Sequence, residues 1–295
     1  MSFFAQTFLH ALIALFIVEL AIRIWDIQIS RDRFRYRLTA LLLPIFIFPV
    51  LKIFDPARES FYFILDSALF SSRIWFGIKL WNAVPIGVLF LFLLLMTSLL
   101  TLIQEFIPVT KMFLFGKKEK GTPLSDSHFI EEICQSLKIK KPDIFVVEGE
   151  TPRVVTRGLL HPSIFISDSL LKLLNADQMR SVLTHELVHV DRHSNLRLFL
   201  FYILRTLMFF NPISLVVFRR LLEGEEYICD DKAIALTKNP VSLISALELF
   251  SSDDRLLKDR LTRLHEKKIF ETPPFEFGKY ILTVVSILIL NYFVV

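Results

Sequence analysis

Long apolar runs constrain this chain more than any other feature of its sequence. Hydrophobic residues make up 53% of the 295 residues, which is more than an ordinary soluble domain carries. Four runs stand out, at residues 3–25, 38–54, 83–107 and 280–295. Because a helix needs about 20 apolar residues to cross a bilayer, we expect four transmembrane helices, the last of them near the lower limit of length.

The basic residues predict how these helices are oriented. The first run is too long for the apolar core of a signal peptide and has no small-residue cleavage site, so we expect a retained anchor. Four arginines follow this run and four lysines follow the third: Arg31, Arg33, Arg35, Arg37, Lys111, Lys117, Lys118 and Lys120. The positive-inside rule predicts that both clusters are cytoplasmic and that both termini lie outside. This topology accounts for the net charge of +4, and no basic stripe with interleaved aromatic residues indicates direct nucleic-acid binding.

The order of these features predicts three regions. Residues 1–110 are expected to form a membrane region with three transmembrane helices, residues 111–277 a cytoplasmic domain, and residues 278–295 the fourth transmembrane helix. The two cysteines, Cys134 and Cys229, fall in the cytoplasmic domain, where a disulfide is not expected. Two cysteines are also too few to form a structural zinc site by themselves.

The central domain combines helical and strand patterns. The sequence "SDSHFIEEICQSLKI" predicts a helix that begins at Ser125 or Ser127. Three β-branched and aromatic runs, at residues 143–148, 153–156 and 163–167, predict a small sheet. The run at 163–167, or the sequence "PRVVT" at 152–156 before it, is a candidate open edge for an extended peptide. The expected fold class is α+β and mostly helical.

A long helix is expected directly after this sheet. Asn175 and Gln178 are three positions apart and form a capping box at its start. Apolar residues then recur at helical spacing, at Met179, Val182, Leu183, Leu187 and Val190. The polar stretch "THELVHVDRH", which holds three of the chain's seven histidines, therefore lies within a helix.

This polar stretch has the spacing of a metal site. His185 and His189 are four residues apart, so their imidazoles share one helix face and can converge on one ion. Glu186 lies one step round the helix, where it can reach a metal-bound water without ligating the ion. This H-E-x-x-H arrangement predicts one zinc ion per chain, with Glu186 as the catalytic base. His193 is not expected to be a ligand, because it lies about 12 Å along the axis from His185.

A third ligand is expected from the acidic sequence "LLEGEEYICDDKAIAL". It offers three glutamates, Glu223, Glu225 and Glu226. Only Glu226 has a carboxylate, Asp230, four residues further along the same helix. Such a carboxylate can orient a zinc-bound histidine through its free ring N–H. The pattern therefore predicts Glu226 as the third ligand and Asp230 as the carboxylate that supports the histidine.

Residues 198–218 form a further apolar run between the two parts of this site. If this run crossed the membrane once, Glu226 would lie on the opposite side of the bilayer from His185. Both must reach one ion, so a simple crossing is excluded. Asn211-Pro212 at its middle favours a break. We expect a membrane-associated helical hairpin at this position.

These motifs resemble those of the BlaR/MecR-type membrane zinc peptidases, a branch of the gluzincins. The resemblance covers most of residues 157–235 and rests on "RGLLHPSIFIS", "SVLTHELVHVDRH", "FFNP" and "EYICD", in this order. It implies a multi-pass protein of the bacterial cytoplasmic (inner) membrane, with a cytoplasmic zinc domain between its third and fourth helices. The family residues match His185, His189 and Glu226 as ligands, Glu186 as base and Asp230 as supporting carboxylate.

The sequence departs from the family in two places. Ser194 stands where the family commonly has an aspartate, five residues after the second motif histidine, so the polar contact of that aspartate is not expected here. The β-lactam receptors of the family continue past the fourth helix into an extracellular penicillin-binding domain. This sequence ends within that helix, so we do not expect it to sense β-lactams by itself.

The resemblance implies a zinc-dependent metalloendopeptidase. Its substrate would be a cytoplasmic or membrane-proximal protein in regulatory signalling, either the chain itself or a BlaI-like transcriptional repressor. Two alternatives are a membrane quality-control or processing protease of the HtpX or CAAX type, and a non-catalytic membrane signalling scaffold. The sequence does not identify the residue that stabilises the oxyanion; His265, Arg157 and Tyr227 are candidates.

The predicted topology can be tested with reporter fusions. Fusions at Lys120 and Glu271 are expected to report a cytoplasmic location, because the basic clusters hold these segments inside. A fusion at Ser60, between the second and third apolar runs, is expected to report an extracytoplasmic location. A cytoplasmic signal at Ser60 would contradict this topology.

Overall fold

A computed structural model of the protein describes residues 2–66, 68, 71–80, 83–106, 121–124, 128–250, 255–266 and 274–294. These residues are mostly helical and include two small sheets. The chain divides into two compact units. The first comprises Met1–Gly116, Phe201–Leu221 and Pro274–Val295, and the second comprises Lys117–Leu200 and Leu222–Pro273.

The first unit is built from apolar helices. Its elements are α1 (Ser2–Ile24), α2 (Ser30–Phe54), a 3-10 turn (Pro56–Glu59), α3 (Phe61–Asp66), α4 (Ser72–Gly77), the two-stranded hairpin β1 (Lys79–Leu80) and β2 (Val84–Pro85), α5 (Ile86–Thr101) with a π turn (Leu102–Phe106), and later α13 (Phe277–Tyr292). Ala5, Phe90, Leu94 and Phe210 form a buried apolar cluster in this unit.

Three described helices are long and apolar enough to cross a membrane. They comprise Phe3–Ile24, Ser30–Phe54 and Ile86–Gln104. These helices agree with three of the predicted spans and indicate a multi-pass membrane protein. Helix α13 has only 16 residues and is shorter than these three, so the fourth transmembrane helix stays a prediction.

The arginine cluster that follows the first apolar run lies in a helix. Helix α2 begins at Ser30, eight residues before the predicted apolar run, and includes all four arginines of the cluster. Arginine, tyrosine and leucine are adequate helix formers, so nothing local ends the helix there. Arg37 donates to Glu19 of α1 at 3.0 Å, which gives this cation a partner. The predicted cytoplasmic lysines at 111–120 and the caps at Ser125 and Ser127 lie outside the described residues.

The apolar run at 198–218 contains two helices. Helix α9 (Ser194–Leu207) ends before the predicted break, and α10 (Pro212–Thr237) begins at it. Asn211 Oδ1 accepts from Ile213 N at 3.0 Å and caps the new helix. Pro212 at the first helical position needs no N–H partner. The run is therefore interrupted, as the Asn-Pro pair predicts, while its membrane association stays a prediction.

The second unit contains the predicted small sheet with helices packed on it. Its remaining elements are β3 (Thr122–Pro123), α6 (His128–Leu137), β4 (Ile144–Val147), β5 (Val154–Arg157), β6 (Ser163–Ser167), α7 (Asp168–Leu173), α8 (Ala176–Asp191), α11 (Pro240–Leu249) and α12 (Arg255–Glu266). The sheet order is β3-β4-β6-β5, with β4 and β6 parallel and the other two pairs antiparallel. The three predicted strands are confirmed, and β3 is a short strand that the sequence pattern did not reveal.

The core of this unit lies between the sheet and helices α6 and α8. Ile164 and Ile166 alternate inward from β6 and are fully buried, as the two-residue period of a strand requires. Apolar residues of α6 and α8 pack against them, including Ile130, Ile133 and Leu187. Both cysteines are buried and free.

One edge of this sheet lies at β5, and the other lies at the short strand β3. Strand β6 pairs with β4 on one side and with β5 on the other, so the prediction of an open edge at 163–167 is wrong. Strand β5 pairs with β6 and with no other described strand, so its second side is free. Ser167 N donates to Arg153 O at 2.9 Å. The alternation of an antiparallel pair then turns the N–H and C=O groups of Val154 and Thr156 toward the free edge.

The turn after β5 generates a stability prediction. Gly158 has φ +103°, and a Cβ there would lie 2.5 Å from the carbonyl oxygen of His161. Gly158→Ala is expected to lower the free energy of unfolding by about 1–3 kcal/mol, because side-chain-bearing residues rarely adopt this conformation. Denaturant or thermal unfolding of the detergent-purified protein measures the change.

Gly149→Ala is the matched control for this substitution. A Cβ at Gly149 would lie 3.8 Å from Ser167 Cβ, which is an ordinary contact, and its φ is not positive. The control should unfold close to the parent. Equal stability of the two variants would contradict the prediction.

Candidate metal centre

Helix α8 begins at the predicted capping box. The Asn175 side chain accepts from Gln178 N at 2.9 Å, and Gln178 Oε1 accepts from Asn175 N at 3.0 Å. Residues 181–188 of this helix are all buried. Side chains that would normally face solvent on a surface helix are therefore enclosed, and His185 and Glu186 are only 5% and 8% exposed.

The two motif histidines and the predicted third residue lie together. His185 Nε2 is 3.0 Å from His189 Nε2. Helix α10 brings Glu226 against both rings, with Oε2 3.4 Å from His185 Nε2 and Oε1 3.4 Å from His189 Nε2. Two atoms bonded to one tetrahedral zinc ion at 2.0–2.1 Å lie about 3.3 Å apart. The three donors therefore fit one zinc ion at their present separations.

The charge of this cluster also suits a cation. His185 Nδ1 lies 3.0 Å from Asp230 Oδ1, although the ring N–H is not well aligned for a full hydrogen bond. A proton on Nδ1 leaves a lone pair on Nε2, which faces the Glu226 carboxylate. Burial disfavours the charged ring, but Asp230 and Glu226 outweigh it and raise the pKa of His185 to about 9. The site therefore concentrates negative charge where a proton or a metal ion can neutralise it.

The carboxylates are held in their charged form. Burial alone would raise the pKa of Glu226, but its contacts with His185, His189 and Arg260 lower it to about 2. Asp230 is fully buried, yet Arg260 and His185 hold its pKa well below the usual range. Both groups are therefore anionic near neutral pH, as a metal ligand and its supporting carboxylate must be.

His189 has a different partner behind it. Its Nδ1 lies 3.5 Å from the thiol sulfur of Cys229, which is fully buried. Burial and the nearby Glu225 carboxylate raise the pKa of this thiol, so the sulfur stays protonated and uncharged. Burial and the neighbouring His185 lower the pKa of His189. A neutral imidazole with its Nε2 lone pair directed toward the cluster is the form that binds metal.

Glu186 lies outside the group of three donors. Its Oε2 accepts a hydrogen bond from Thr156 Oγ1 of β5 at 2.6 Å. Glu186 and Thr156 line the same cavity as the two histidines and Glu226. The arrangement therefore separates a fixed carboxylate from the candidate ligands, as the H-E-x-x-H spacing predicts.

The neighbouring Glu225 has another role. This carboxylate is fully buried and accepts from Arg192 at 2.9 and 3.0 Å, from Arg197 at 2.6 Å and from Ser194 at 2.5 Å. Glu225, His189 and Cys229 also come close enough to form a second group of possible donors. Because the Glu225 oxygens are already bound by two cations and a hydroxyl, this second group is the weaker candidate.

The other residues discussed in the sequence analysis, Glu223, His193 and Ser194, do not belong to the group of three donors. Glu223 belongs to neither group of possible donors. His193 has φ +49° beyond the end of α8 and is not among the cavity residues. Ser194, at the position of the family aspartate, contacts Glu225 instead of a candidate ligand.

The cavity has a volume of about 400 Å³ and two kinds of wall. Its polar wall contains the candidate site. Its apolar wall comprises Val182, Leu198, Leu247, Phe250, Leu256 and Leu257. None of the suggested oxyanion-stabilising residues, His265, Arg157 and Tyr227, lines it. His265 is exposed and pairs with Glu248 at 3.4 Å, and Tyr227 lies beneath Arg263.

Three polar residues of the site were missed by the sequence reasoning. Arg260 of α12 contacts both Asp230 and Glu226, and Thr156 contacts Glu186. Asn195 lines the cavity and donates to the carbonyl oxygens of Thr156 and Gly158 at 2.9 and 3.1 Å. None of these three lies in a spaced motif with the residue it contacts, so only the fold brings them together.

Comparison with curated proteins finds protease relatives of low identity. The chain is 23% identical to the protease HtpX homolog of Lactobacillus acidophilus over 41% of its length and 55% of the relative. It is 20% identical to the protease HtpX homolog of Thermoanaerobacter pseudethanolicus over 50% of its length and 63% of the relative. It is also 27% identical to the plastoglobule-localized metallopeptidase 48 of Arabidopsis thaliana, over 47% of the chain and 43% of the relative. The chain thus spans little more than half the length of the HtpX homologs it matches.

Among solved structures, the chain matches S. mikatae Ste24p with 20% identity and a TM-score of 0.34, over 84% of this chain and 79% of that one. Of the protein families, the one described as BlaR1 peptidase M56 matches residues 71–241. This match covers more than half of the chain and includes both histidines, Glu186, Glu226 and Asp230. The resemblance to BlaR/MecR-type peptidases is therefore confirmed, and the protein belongs to the BlaR1 peptidase M56 family.

Proposed function

We propose that the protein is a membrane-embedded zinc metalloendopeptidase with His185, His189 and Glu226 as ligands. The observation that carries the proposal is the convergence of these three side chains from two helices at 3.0–3.4 Å. Their separations and charge suit one zinc ion per chain. Family membership supports the same activity.

Glu186 is the proposed catalytic base. A zinc ion bound here would polarise the scissile carbonyl and lower the pKa of a coordinated water. The Thr156 hydroxyl holds one oxygen of Glu186 and leaves the other for proton transfer. Glu186 takes a proton from the attacking water and passes it to the leaving amine.

Asp230 is the proposed supporting carboxylate of His185. Its Oδ1 lies 3.0 Å from Nδ1 of His185, whereas Nε2 of the same ring faces Glu226 and His189. This contact favours the tautomer with its proton on Nδ1, so that Nε2 is available to the metal. The low pKa of Asp230 keeps this function available throughout the neutral range.

The proposed substrate is an extended protein segment that pairs with β5. Val154 turns its N–H and C=O groups to the free edge, and the strand lines the cavity beside Glu186. Thr156 O is already bound by Asn195, so pairing would use the part of the edge before Thr156. A peptide placed there would run past the ligands and the base.

The proposed biological role is regulatory proteolysis on the cytoplasmic side of the bacterial inner membrane. The arginine cluster supports this orientation, and the family supports either self-cleavage or cleavage of a BlaI-like repressor. In this topology residues 278–295 form the fourth transmembrane helix, and residues 198–218 contact the inner leaflet.

A less selective membrane protease is the second candidate. The HtpX homologs among the curated relatives favour it. Co-expression with a BlaI-like repressor and with an unrelated unstable membrane protein separates the two roles. Selective loss of the repressor supports regulatory proteolysis, whereas loss of the unstable protein alone supports the second candidate.

The identity of the third ligand can be tested by metal content. Glu226→Gln is expected to lower bound zinc sharply, because an amide is a poor ligand and two histidines hold zinc weakly. Glu223→Gln and His193→Ala should stay near one zinc per chain, since neither residue lies in the cluster. Elemental analysis of the purified proteins gives the stoichiometry. Full zinc retention in Glu226→Gln would show that the wrong glutamate had been chosen.

The role of Glu186 can be separated from metal binding. Glu186→Gln keeps the side-chain shape and the three ligands, so zinc content should not change. Proteolysis should fall by about 10²–10⁴-fold, because an amide cannot accept the proton. His185→Ala, in contrast, should lose zinc and activity together. The assay is cleavage of the chain itself or of a co-expressed repressor in membranes, and parental cleavage by Glu186→Gln would refute the peptidase mechanism.

A further inference from the structure

We propose that Arg260 is a positioning residue of the metal centre, where one guanidinium holds the ligand Glu226 and the supporting carboxylate Asp230. Arg260 belongs to α12, beyond the region of the family match. The inference rests on the proposed zinc site, and it adds a third helix to the two that carry the ligands.

The contacts use all three nitrogens of the guanidinium. Nε and Nη2 of Arg260 donate to the two oxygens of Asp230 at 3.0 and 2.6 Å. Its remaining nitrogen, Nη1, lies 3.0 Å from Glu226 Oε2. A planar fork with several fixed donors suits this double contact, whereas an ammonium group presents a single point of charge.

These contacts reach both the carboxylate that supports His185 and the candidate ligand Glu226. Asp230 Oδ1, which Arg260 holds, also faces His185 Nδ1 at 3.0 Å. Arg260 therefore fixes the carboxylate that orients one ligand and, through Nη1, the carboxylate that is itself a ligand. Without Arg260, the contact between Asp230 Oδ1 and His185 Nδ1 and the direction of the Glu226 oxygens would each depend on weaker contacts.

The charge balance of the site gives a second reason. Glu186, Glu226 and Asp230 bring three carboxylates into a small and largely buried volume. Of the described residues that line the cavity, Arg260 is the one lysine or arginine. Arg263 is the next cation near Asp230, but its Nη2 lies 3.8 Å from Oδ2. A divalent ion neutralises two of the three carboxylates, and the positive charge of Arg260 balances the remaining negative charge.

Arg263 provides a matched control on the same helix. It joins α12 to α10 through Asp231 at 2.8 Å and the Tyr227 carbonyl oxygen at 3.2 Å. These two contacts connect the same helices as those of Arg260, but neither Asp231 nor Tyr227 is a candidate ligand. A variant of Arg263 therefore tests whether a weaker attachment of α12 to α10 is enough to change the affinity for zinc.

The experiment measures zinc affinity of the full-length protein in detergent by chelator competition. The absorption spectrum of the Co²⁺-substituted protein reports the ligand geometry. Arg260→Gln is expected to weaken zinc binding by about 10- to 100-fold and to change the Co²⁺ spectrum. Arg260→Lys should recover only part of the loss, because lysine keeps the charge but cannot hold both carboxylates. Arg263→Gln should keep the parental affinity and spectrum.

Each outcome decides the inference. Parental affinity and spectrum in Arg260→Gln would overturn it, and so would equal losses in Arg260→Gln and Arg263→Gln. If Arg260→Gln does not fold, Arg260→Lys takes its place: weaker binding at an unchanged unfolding temperature supports the inference, and parental binding overturns it. A parent protein that binds no zinc would refute the metal centre itself, whereas a zinc-binding parent with unaffected Arg260 variants would refute only the role of Arg260.

Discussion

The buried Asp230 carboxylate is the group on which the site depends. It has no exposure to solvent, and an unpaired charge in that position would cost several kcal/mol. Two donors of Arg260 and the ring of His185 surround it, so that α8, α10 and α12 meet at one anion. Folding the core of this unit therefore also assembles the candidate metal centre, because the anion is stable only when all three helices are in place.

Helix α10 uses two adjacent glutamates for opposite purposes. Successive residues on a helix point about 100° apart, so Glu225 and Glu226 face different neighbours. Glu225 meets Arg192, Arg197 and a hydroxyl, which bind both of its oxygens. Glu226 lies 3.4 Å from the Nε2 atom of each motif imidazole. Glu225 is therefore part of a structural ion pair, whereas Glu226 contacts one arginine through Oε2 and directs both oxygens toward the two candidate histidine ligands.

Periodic and local signals made the fold predictable in part. Three of the apolar spans, the strands β4 to β6 and the capping box of α8 follow from patterns within a few residues. The position of Asp230 on the same helix face as Glu226 follows from their spacing of four residues. Features that depend on distant contacts could not be found this way. The strand order that leaves β5 at an edge and the contacts of Arg260 and Thr156 each join residues that no short pattern relates.

Strand β5 connects the proposed substrate site to the proposed base. Thr156 donates its hydroxyl hydrogen to Glu186, so the strand that would pair with a substrate also sets the position of the carboxylate. Asn195 binds the Thr156 carbonyl oxygen and ties the strand to the start of α9. A displacement of β5 would therefore move the bound peptide and Glu186 together. Such coupling preserves the distance between scissile bond and base, a distance on which proton transfer depends steeply.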